Sequence, residues 1–271
     1  MELPVTRTLA LEFEHYVLTV TLDRPKQANA MNPEMWKEVQ STFEWADAEP
    51  GVRVIVLAGA GKHFCAGIDL SMFSEITFQH DDPSRANELF FHHVRGLQRN
   101  LQALRDCRKP VLAAMHGACV GAAIDMTCYA DIRYAAASAR FCVKEIDIGI
   151  VADVGTLQNL PKLIPEGVVR ELALTGRYMD AQEARSVGFI NKVFDDEQAL
   201  RAGVYELARI IASKTPLATR GTKQVLNHAR DHSLDDGLEY VALWNAAMMS
   251  QHDVREAMAA KLEQRDPVFK D

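Results

Sequence analysis

Hydrophobic and polar positions alternate near the start of the chain and predict two β-strands. The runs LALEFE and YVLTVTLD lie within residues 8–23, and a turn is expected near His15. Two continuous apolar runs, VRVIVLAG at 52–59 and PVLAAMHG at 110–117, predict buried strands that are each followed by small residues and a helical pattern. This alternation of strands and helices indicates crossover connections and a mostly parallel sheet in an α/β fold.

The clearest helix prediction follows the first two strands. Asn32 is the expected N-cap and Pro33 lies in the first turn, and one face carries the apolar residues Met35, Val39, Phe43 and Ala46. Residues 71–90 show no single period and predict a partly mobile flap that enters a helix at about 84–105. From about residue 197 four helical segments follow without a strand between them. The sequence therefore predicts a mixed core at 1–195 and a helical domain at 196–271.

Composition excludes several partners. Hydrophobic residues make up 48% and charged residues 25% of the 271 positions, which is typical of a globular protein. The formal net charge of -7 opposes nucleic-acid binding, and no run of about 18 apolar residues predicts a membrane span. The five cysteines form no CxxC pair, and the first residues resemble neither a signal nor a transit peptide. We therefore expect free thiols and a cytoplasmic location.

Motifs for several chemistries are missing from the sequence. It contains no GxSxG, GxGxxG or HExxH, and GAGK at 59–62 is an incomplete phosphate loop, so we expect no metal site. Two glycine-containing loops remain, GKHFCAGIDL at 61–70 and HGACVGAAIDM at 116–126, each between an apolar strand and a helical pattern. Their free N–H groups could converge on one oxygen. Tight packing after a strand is the alternative interpretation.

Carboxylates interrupt an aliphatic segment, KEIDIGIVADVGTLQNLP at 144–161, which reads as interior. An unpartnered buried carboxylate costs several kcal/mol, so Glu145 and Asp153 are candidate functional groups. Asp147 is most simply an exposed strand residue between two isoleucines, and we assign it no catalytic role.

Four segments together resemble the enoyl-CoA hydratase/isomerase family, also called the crotonase family. They are LDRPKQANAMN (22–32), VIVLAGAGKHFCAGIDL (54–70), KPVLAAMHGACVGAAIDMTCYADIRYA (109–135) and AQEARSVGFINKVF (181–194), in the family's order and spacing. Within that family, the trio Asp125, Glu145 and Asp153 is similar to the Δ3,5-Δ2,4-dienoyl-CoA isomerases. Hydratases of the family have glutamate at the positions of both Asp125 and Glu145, and an apolar residue or glycine in place of Asp153.

The resemblance implies a spiral of ββα repeats with a C-terminal helical assembly domain, and a homotrimer or homohexamer. It implies an acyl-CoA thioester as ligand and no separate cofactor, because the substrate carries coenzyme A. The amides of Ile68 and Ala122 would hold the thioester oxygen, and the substrate-binding residues would be Ala66, Gly67, Ile68, Asp69, Leu70 and Ala122. Asp69 is equally well explained as a helix-start cap. The family usually has consecutive glycines at 122 and 123, so the two alanines here narrow the pocket.

The predicted reaction moves both double bonds of a 3,5-dienoyl-CoA through a dienolate, as in fatty-acid β-oxidation. We assign Glu145 to the proton at C2 and Asp153 to C6, with the reverse assignment left open. Asp125 is expected to be ionised and to orient the pair, and charge complementarity at a helix start is the alternative. Two rival functions are a hydratase that uses Asp125 and Glu145, and a non-catalytic acyl-CoA-binding or assembly protein.

Overall fold

The structure is a computed structural model that describes residues 1–72 and 80–271. Its main sheet consists of six strands. Their order across the sheet is β1-β2-β3-β4-β6-β9. The strands are β1 (Leu9–Glu14), β2 (Val17–Leu22), β3 (Val54–Gly59), β4 (Val111–Met115), β6 (Ile132–Ala136) and β9 (Lys192–Phe194). Only β1 and β2 pair in antiparallel register. The predicted hairpin turn near His15 and the mostly parallel sheet are confirmed.

A second, three-stranded sheet lies beside the ends of the main strands. It consists of β5 (Ala118–Val120), β7 (Arg140–Cys142) and β8 (Met179–Asp180), in the order β5-β7-β8. An isolated β-bridge between Cys65 and Cys119 joins the loop after β3 to β5. The two glycine-containing loops of the sequence therefore lie side by side in the fold.

Helices α1 (Pro33–Ala48) and α2 (Pro83–Asp106) pack against each other. The carboxamide oxygen of Asn32 accepts a hydrogen bond from the Met35 amide at 3.0 Å, so the predicted N-cap is confirmed. Asp82 caps α2 through the Ser84 amide at 2.9 Å, close to the predicted helix start. The central part of the predicted flap, residues 73–79, lies outside the described residues.

Four shorter helices complete the core. They are α3 (Ala122–Cys128), α4 (Thr156–Asn159), α5 (Glu166–Thr175) and α6 (Ala181–Ser186). The buried side chains of this part form one large cluster that includes Trp36, Phe64, Phe141 and Phe189. Such a core leaves little room for polar atoms, so the buried carboxylates described below require a specific explanation.

Four helices follow the last strand: α7 (Glu197–Ala212), α8 (Pro216–Ala229), α9 (Leu234–Met248) and α10 (Gln251–Leu262). The prediction of a strand-free C-terminal region is confirmed. Helix α7 packs its apolar face onto the main sheet, in a cluster with Val54, Val56 and Leu112. Helix α8 is tied to the core by Lys223, whose ammonium forms a 2.9 Å ion pair with Asp131. The domain boundary at residue 195 stays a prediction.

The prediction that the aliphatic residues of 144–151 lie in the interior is wrong. Residues 145–148 form a short 3₁₀ turn that ends at Gly149 (φ 77°), not a strand. Val151 is 70% exposed, and Ile146, Ile148 and Ile150 are also exposed in the single chain. Asp147 is exposed as predicted, but it lies in this turn and pairs with Lys144. Alternation over so few residues did not distinguish a strand from a tight turn.

Candidate active site

One apolar cavity of about 420 Å³ lies between the two glycine-containing loops, helix α2 and residues 144–154. All three predicted carboxylates, Asp125, Glu145 and Asp153, line it. The rest of its described wall is mostly aliphatic, aromatic or backbone: Trp36, Ala66, Gly67, Ile68, Leu70, Phe90, His93, Val94, Leu97, Val120, Gly121, Ala122, Lys144, Ile148, Ile150, Val151 and Val154. The structure thus brings together residues from five separate parts of the sequence.

Two backbone amides face this cavity without an acceptor. Ile68 forms a single β-bridge with Met31. In this bridge the Met31 amide donates to the Gly67 carbonyl at 2.8 Å, and the Asp69 amide donates to the Met31 carbonyl at 3.0 Å, so the Ile68 amide takes no part. Ala122 is the first residue of α3, so its N–H has no acceptor within the helix. Across residues 1–72 and 80–271, neither amide donates a hydrogen bond to the protein. Both are therefore available to a ligand oxygen.

Gly67 allows these two loops to approach each other. Its φ is +96°, a conformation that L side chains rarely adopt. A Cβ atom there would lie 2.8 Å from the Val120 carbonyl oxygen and 3.6 Å from the Ala122 nitrogen. The first loop therefore needs glycine at this position, and any larger residue would push the two amide groups apart.

Glu145 is 9% exposed and lies at the beginning of the 3₁₀ turn. Its Oε2 atom is buried and has no hydrogen-bond partner among the described residues. Burial raises the pKa of this carboxyl. Hydrogen bonds from nearby backbone amides lower the pKa in part, and the charge of Asp153 raises it. An unpartnered oxygen on an apolar cavity is suited to contact a ligand atom.

Asp153 reaches the same cavity after the chain reverses at Gly149. The Ile150 amide donates to the Glu145 carbonyl at 3.1 Å and closes this turn. The backbone carbonyl of Asp153 accepts a 2.6 Å hydrogen bond from the Gln98 side chain on α2. Burial raises the pKa of the Asp153 carboxyl, and the electrostatic effect of His93 partly opposes this rise. Its raised pKa favours a protonated carboxyl that can serve as an acid.

Asp125 is fully buried on α3 and accepts a 2.6 Å hydrogen bond from the Thr156 amide. Burial raises its pKa from 3.8 to about 7, and the neighbouring Glu145 charge adds to the rise. The raised pKa favours the protonated form of this carboxyl, which runs against the expectation that Asp125 is ionised; its charge state stays a prediction. Its contact with Thr156 links α3 to the segment that carries Asp153.

Ala66 and Leu70 line the cavity, although their binding of substrate stays a prediction, and the structure does not place Asp69 on its wall. One Asp69 oxygen accepts from the Ser71 hydroxyl at 2.8 Å, and the other forms a 3.0 Å ion pair with Arg24. Its carboxylate thus caps the following turn and ties two loops together, so its substrate-binding role stays a prediction.

Sequence reasoning did not single out Trp36, His93 and Leu97, which line the cavity. His93 and Leu97 are four residues apart on α2 and so share one helix face. The amphipathic spacing of apolar residues along α2 was the available signal for these positions. It predicts which helix face is buried, but not that this face lines a cavity.

Neither a metal-binding cluster nor a membrane-spanning helix is present in the described part of the chain. Among these residues, no cluster of three or more histidine, cysteine or acidic side chains could hold a metal ion. No helix within 1–72 and 80–271 is both long and apolar enough to cross a bilayer.

We expect Asp125→Asn to stabilise the protein at neutral and higher pH. The raised pKa means that the folded state retains a proton which the unfolded chain has lost between pH 3.8 and about 7. Stability from this group is complete below that window and falls as the pH rises through it, by on the order of 4 kcal/mol in all. Asparagine keeps an acceptor for Thr156 without this cost.

Urea unfolding of both proteins between pH 4 and 8 tests this expectation. The difference in unfolding free energy should grow in favour of the asparagine variant as the pH rises. An equal pH dependence in the two proteins would show that Asp125 is ionised throughout the range.

An apolar cavity with free amides at one side and carboxylates along its wall is typical of an enzyme that transfers protons within an activated acyl chain. Comparison with known sequences agrees with this class. Residues 12–271 match the family described as "Enoyl-CoA hydratase/isomerase". The chain belongs to the enoyl-CoA hydratase/isomerase family.

Individual relatives narrow the comparison. The chain is 42% identical over 256 residues to "Delta(3,5)-Delta(2,4)-dienoyl-CoA isomerase, peroxisomal" of Arabidopsis thaliana, covering 93% of this chain and 92% of that protein. It is 41% identical to the mitochondrial enzyme of the same name from Homo sapiens, over 93% of this chain and 78% of that protein. Among solved structures, an enoyl-CoA hydratase from Bacillus anthracis superimposes with a TM-score of 0.89 at 28% identity, covering 97% and 99% of the two chains. The crotonase fold predicted from the sequence is confirmed.

Proposed function

We propose that this protein is a Δ3,5-Δ2,4-dienoyl-CoA isomerase of fatty-acid β-oxidation. The observation that carries the proposal is the convergence of Asp125, Glu145 and Asp153 on one apolar cavity. The names of the relatives at about 40% identity support the same activity. The acids lie on the wall of this cavity because the acyl chain that receives the protons is itself apolar.

The reaction requires one proton to leave C2 and one to arrive at C6. Glu145 takes the C2 proton, and the electrons move along the diene to form a dienolate. Asp153 then delivers a proton to C6, which leaves double bonds at C2 and C4. The two groups end with exchanged protonation states, and solvent restores them before the next turnover. Each such transfer by a positioned group typically contributes about 100 to 10,000-fold to the rate.

The amides of Ile68 and Ala122 stabilise the dienolate. Negative charge develops on the thioester oxygen when the C2 proton leaves, and both N–H groups are free to donate to it. Ala122 also lies at the start of α3, where the aligned peptide dipoles add positive potential. The alanine side chain at this position leaves the backbone donor unchanged.

The protonation states follow mainly from burial of the carboxyls, which raises the pKa of all three. A neighbouring acid adds to the rise for Asp125 and Glu145, and His93 opposes the rise for Asp153. Carboxylates that share a low-dielectric site do not all ionise together. One proton retained among them provides the acid at C6 while Glu145 acts as the base.

A hydratase is the second candidate, because several solved structures of this fold carry that name. Such an enzyme would use Asp125 and Glu145 to add water across a 2-enoyl-CoA and would not need Asp153. The presence of a third carboxylate on the cavity wall favours the isomerase. A non-catalytic acyl-CoA-binding protein would have no use for three acids on an apolar cavity wall, two of them buried at a cost in stability.

Ultraviolet absorbance tests the proposal directly. A 2,4-dienoyl thioester is conjugated with its carbonyl group and absorbs at longer wavelength than the 3,5-isomer. Purified protein should therefore raise the long-wavelength absorbance of 3,5-dienoyl-CoA, and it should change 2-enoyl-CoA much more slowly. Rapid loss of 2-enoyl-CoA absorbance alone would identify a hydratase, and no change with either substrate would support a binding protein.

Three further parts of the proposal concern partners and place. The substrate carries coenzyme A, so we propose that no separate cofactor takes part and that dialysis against a chelator leaves turnover unchanged.

Exposed apolar residues of α9, including Leu234, Leu238 and Leu243, support a homotrimer or homohexamer. All five cysteines are buried free thiols, which supports a reducing compartment such as the cytoplasm. The named relatives are peroxisomal and mitochondrial, so the compartment is a prediction.

A further inference from the structure

Asp153 lies in an irregular segment, residues 149–155, between the 3₁₀ turn and helix α4. No strand or helix fixes its backbone there. Among the described residues, neither Asp153 nor Val154 makes a hydrogen bond to another backbone group. Because backbone polar groups in a protein interior are nearly always paired, this segment depends on side chains for its partners.

Two side chains from different helices hold consecutive carbonyl groups of this segment. Gln98 of α2 donates to the Asp153 carbonyl at 2.6 Å. Tyr129, which directly follows α3, donates its hydroxyl to the Val154 carbonyl at 3.3 Å. Burial raises the pKa of the Tyr129 phenol, so its hydroxyl keeps the proton that it donates. The backbone of Asp153 is thus attached to two separate parts of the core.

Gly155 lets the segment pass directly against the Tyr129 ring. A Cβ atom on Gly155 would overlap the Tyr129 hydroxyl oxygen and lie 2.9 Å from its Cζ atom. The next residue, Thr156, donates its amide to Asp125 at 2.6 Å. Contacts at positions 153, 154 and 156 therefore fix the course of the chain beside the Asp153 side chain.

The two anchoring side chains do not belong to the described lining of the cavity that holds the carboxylates. We propose that Gln98 and Tyr129 are positioning residues that aim the Asp153 carboxyl at C6 of the substrate. This inference rests on the proposed function, because it assigns both residues to the second proton transfer. They touch the backbone that carries the acid and act through it.

Tyr129→Phe tests the inference because it removes the hydroxyl and keeps the ring against Gly155. We expect formation of 2,4-dienoyl-CoA to fall about tenfold, since a misplacement of about 1 Å can cost about 100-fold and Gln98 still holds one carbonyl. The KM should change little. Exchange of the C2 protons in D₂O, which Glu145 catalyses, should stay nearly unchanged, whereas general damage to the fold would lower exchange and product formation together.

A double-mutant cycle separates positioning from any effect that bypasses Asp153. In the Asp153→Asn background, Tyr129→Phe should leave the residual product formation nearly unchanged, because the group that it positions is already missing. An equal loss in both backgrounds would show that Tyr129 does not act through Asp153.

Tyr205→Phe is the matched control. Tyr205 also donates a hydroxyl hydrogen bond, to Glu14 at 2.9 Å, and neither residue lines the cavity. If Tyr129→Phe lowers product formation no more than this control, or lowers C2 exchange by the same factor, the inference is wrong. If the unmodified protein does not isomerise 3,5-dienoyl-CoA, the proposed function is wrong instead. Should Tyr129→Phe not fold, Gln98→Leu removes the other donor and decides by the same ratio of product formation to exchange.

Discussion

Asp153→Asn should reduce the isomerisation of 3,5-dienoyl-CoA by about 100 to 10,000-fold, the range that one acid or base typically contributes. The amide has nearly the shape of the carboxyl but cannot deliver a proton to C6. Because Asp153 lies on the cavity wall and its raised pKa favours the protonated acid, the loss should be in kcat, with substrate affinity nearly unchanged. Steady-state kinetics and a titration with an unreactive acyl-CoA separate the two effects.

Asp147→Asn provides the control for this variant. Asp147 is also an aspartate of the same segment and pairs with Lys144, but its own side chain is exposed and does not line the cavity. We expect its turnover to stay within about twofold of the unmodified protein, since exposed ion pairs contribute little. A hydratase would retain most of its activity in both variants, so equal activities would contradict the isomerase assignment.

Gly67→Ala should reduce turnover by about 100 to 1000-fold, the typical cost of losing one oxyanion donor. The added Cβ would lie 2.8 Å from the Val120 carbonyl oxygen, so the loop must move and carry the Ile68 amide with it. The positive φ of +96° adds strain, which an alanine tolerates at a cost of about 1–2 kcal/mol. Measurement of kcat together with the melting temperature distinguishes loss of catalysis from loss of folding.

Gly188→Ala controls for that strain. Gly188 has a similar φ of +88°, but the nearest atom to an added Cβ is the Leu163 carbonyl oxygen at 3.9 Å. The Gly188→Ala variant should therefore lose about as much stability as Gly67→Ala while keeping the turnover of the unmodified protein. If the two variants have the same kcat, the amide of Ile68 does not stabilise the dienolate.

Elements with a strong local signal were predictable from the sequence. Asn32 and Pro33 mark the start of α1 because capping depends on neighbours within one turn. The buried strands at 52–59 and 110–117 were recognisable because parallel strands are apolar on both faces. The motif resemblance then placed Asp125, Glu145 and Asp153 around the same ligand, and the structure brings all three to one cavity.

Features that depend on distant partners were not predictable. Asp69 pairs with Arg24, and Asp125 accepts from Thr156, across 45 and 31 positions of the chain. Burial of Asp125 among apolar groups determines its pKa, and no local pattern reports that burial. The aliphatic residues 146–151 were misread because a strand and a tight turn show the same short alternation. A further cavity of about 460 Å³, between α1, α2 and Met72, arises from tertiary packing that no local pattern reports.

Proton exchange by the Asp153→Asn variant tests the central claim, that two carboxylates act on the same acyl chain at different carbons. The variant is mixed with 3,5-dienoyl-CoA in D₂O, and the substrate is followed by proton NMR. The account predicts that Glu145 still exchanges the C2 protons for deuterium while almost no 2,4-dienoyl-CoA forms. Formation of 2,4-dienoyl-CoA at the rate of the unmodified protein would contradict it, whereas an absence of both exchange and product would exchange the roles assigned to Glu145 and Asp153.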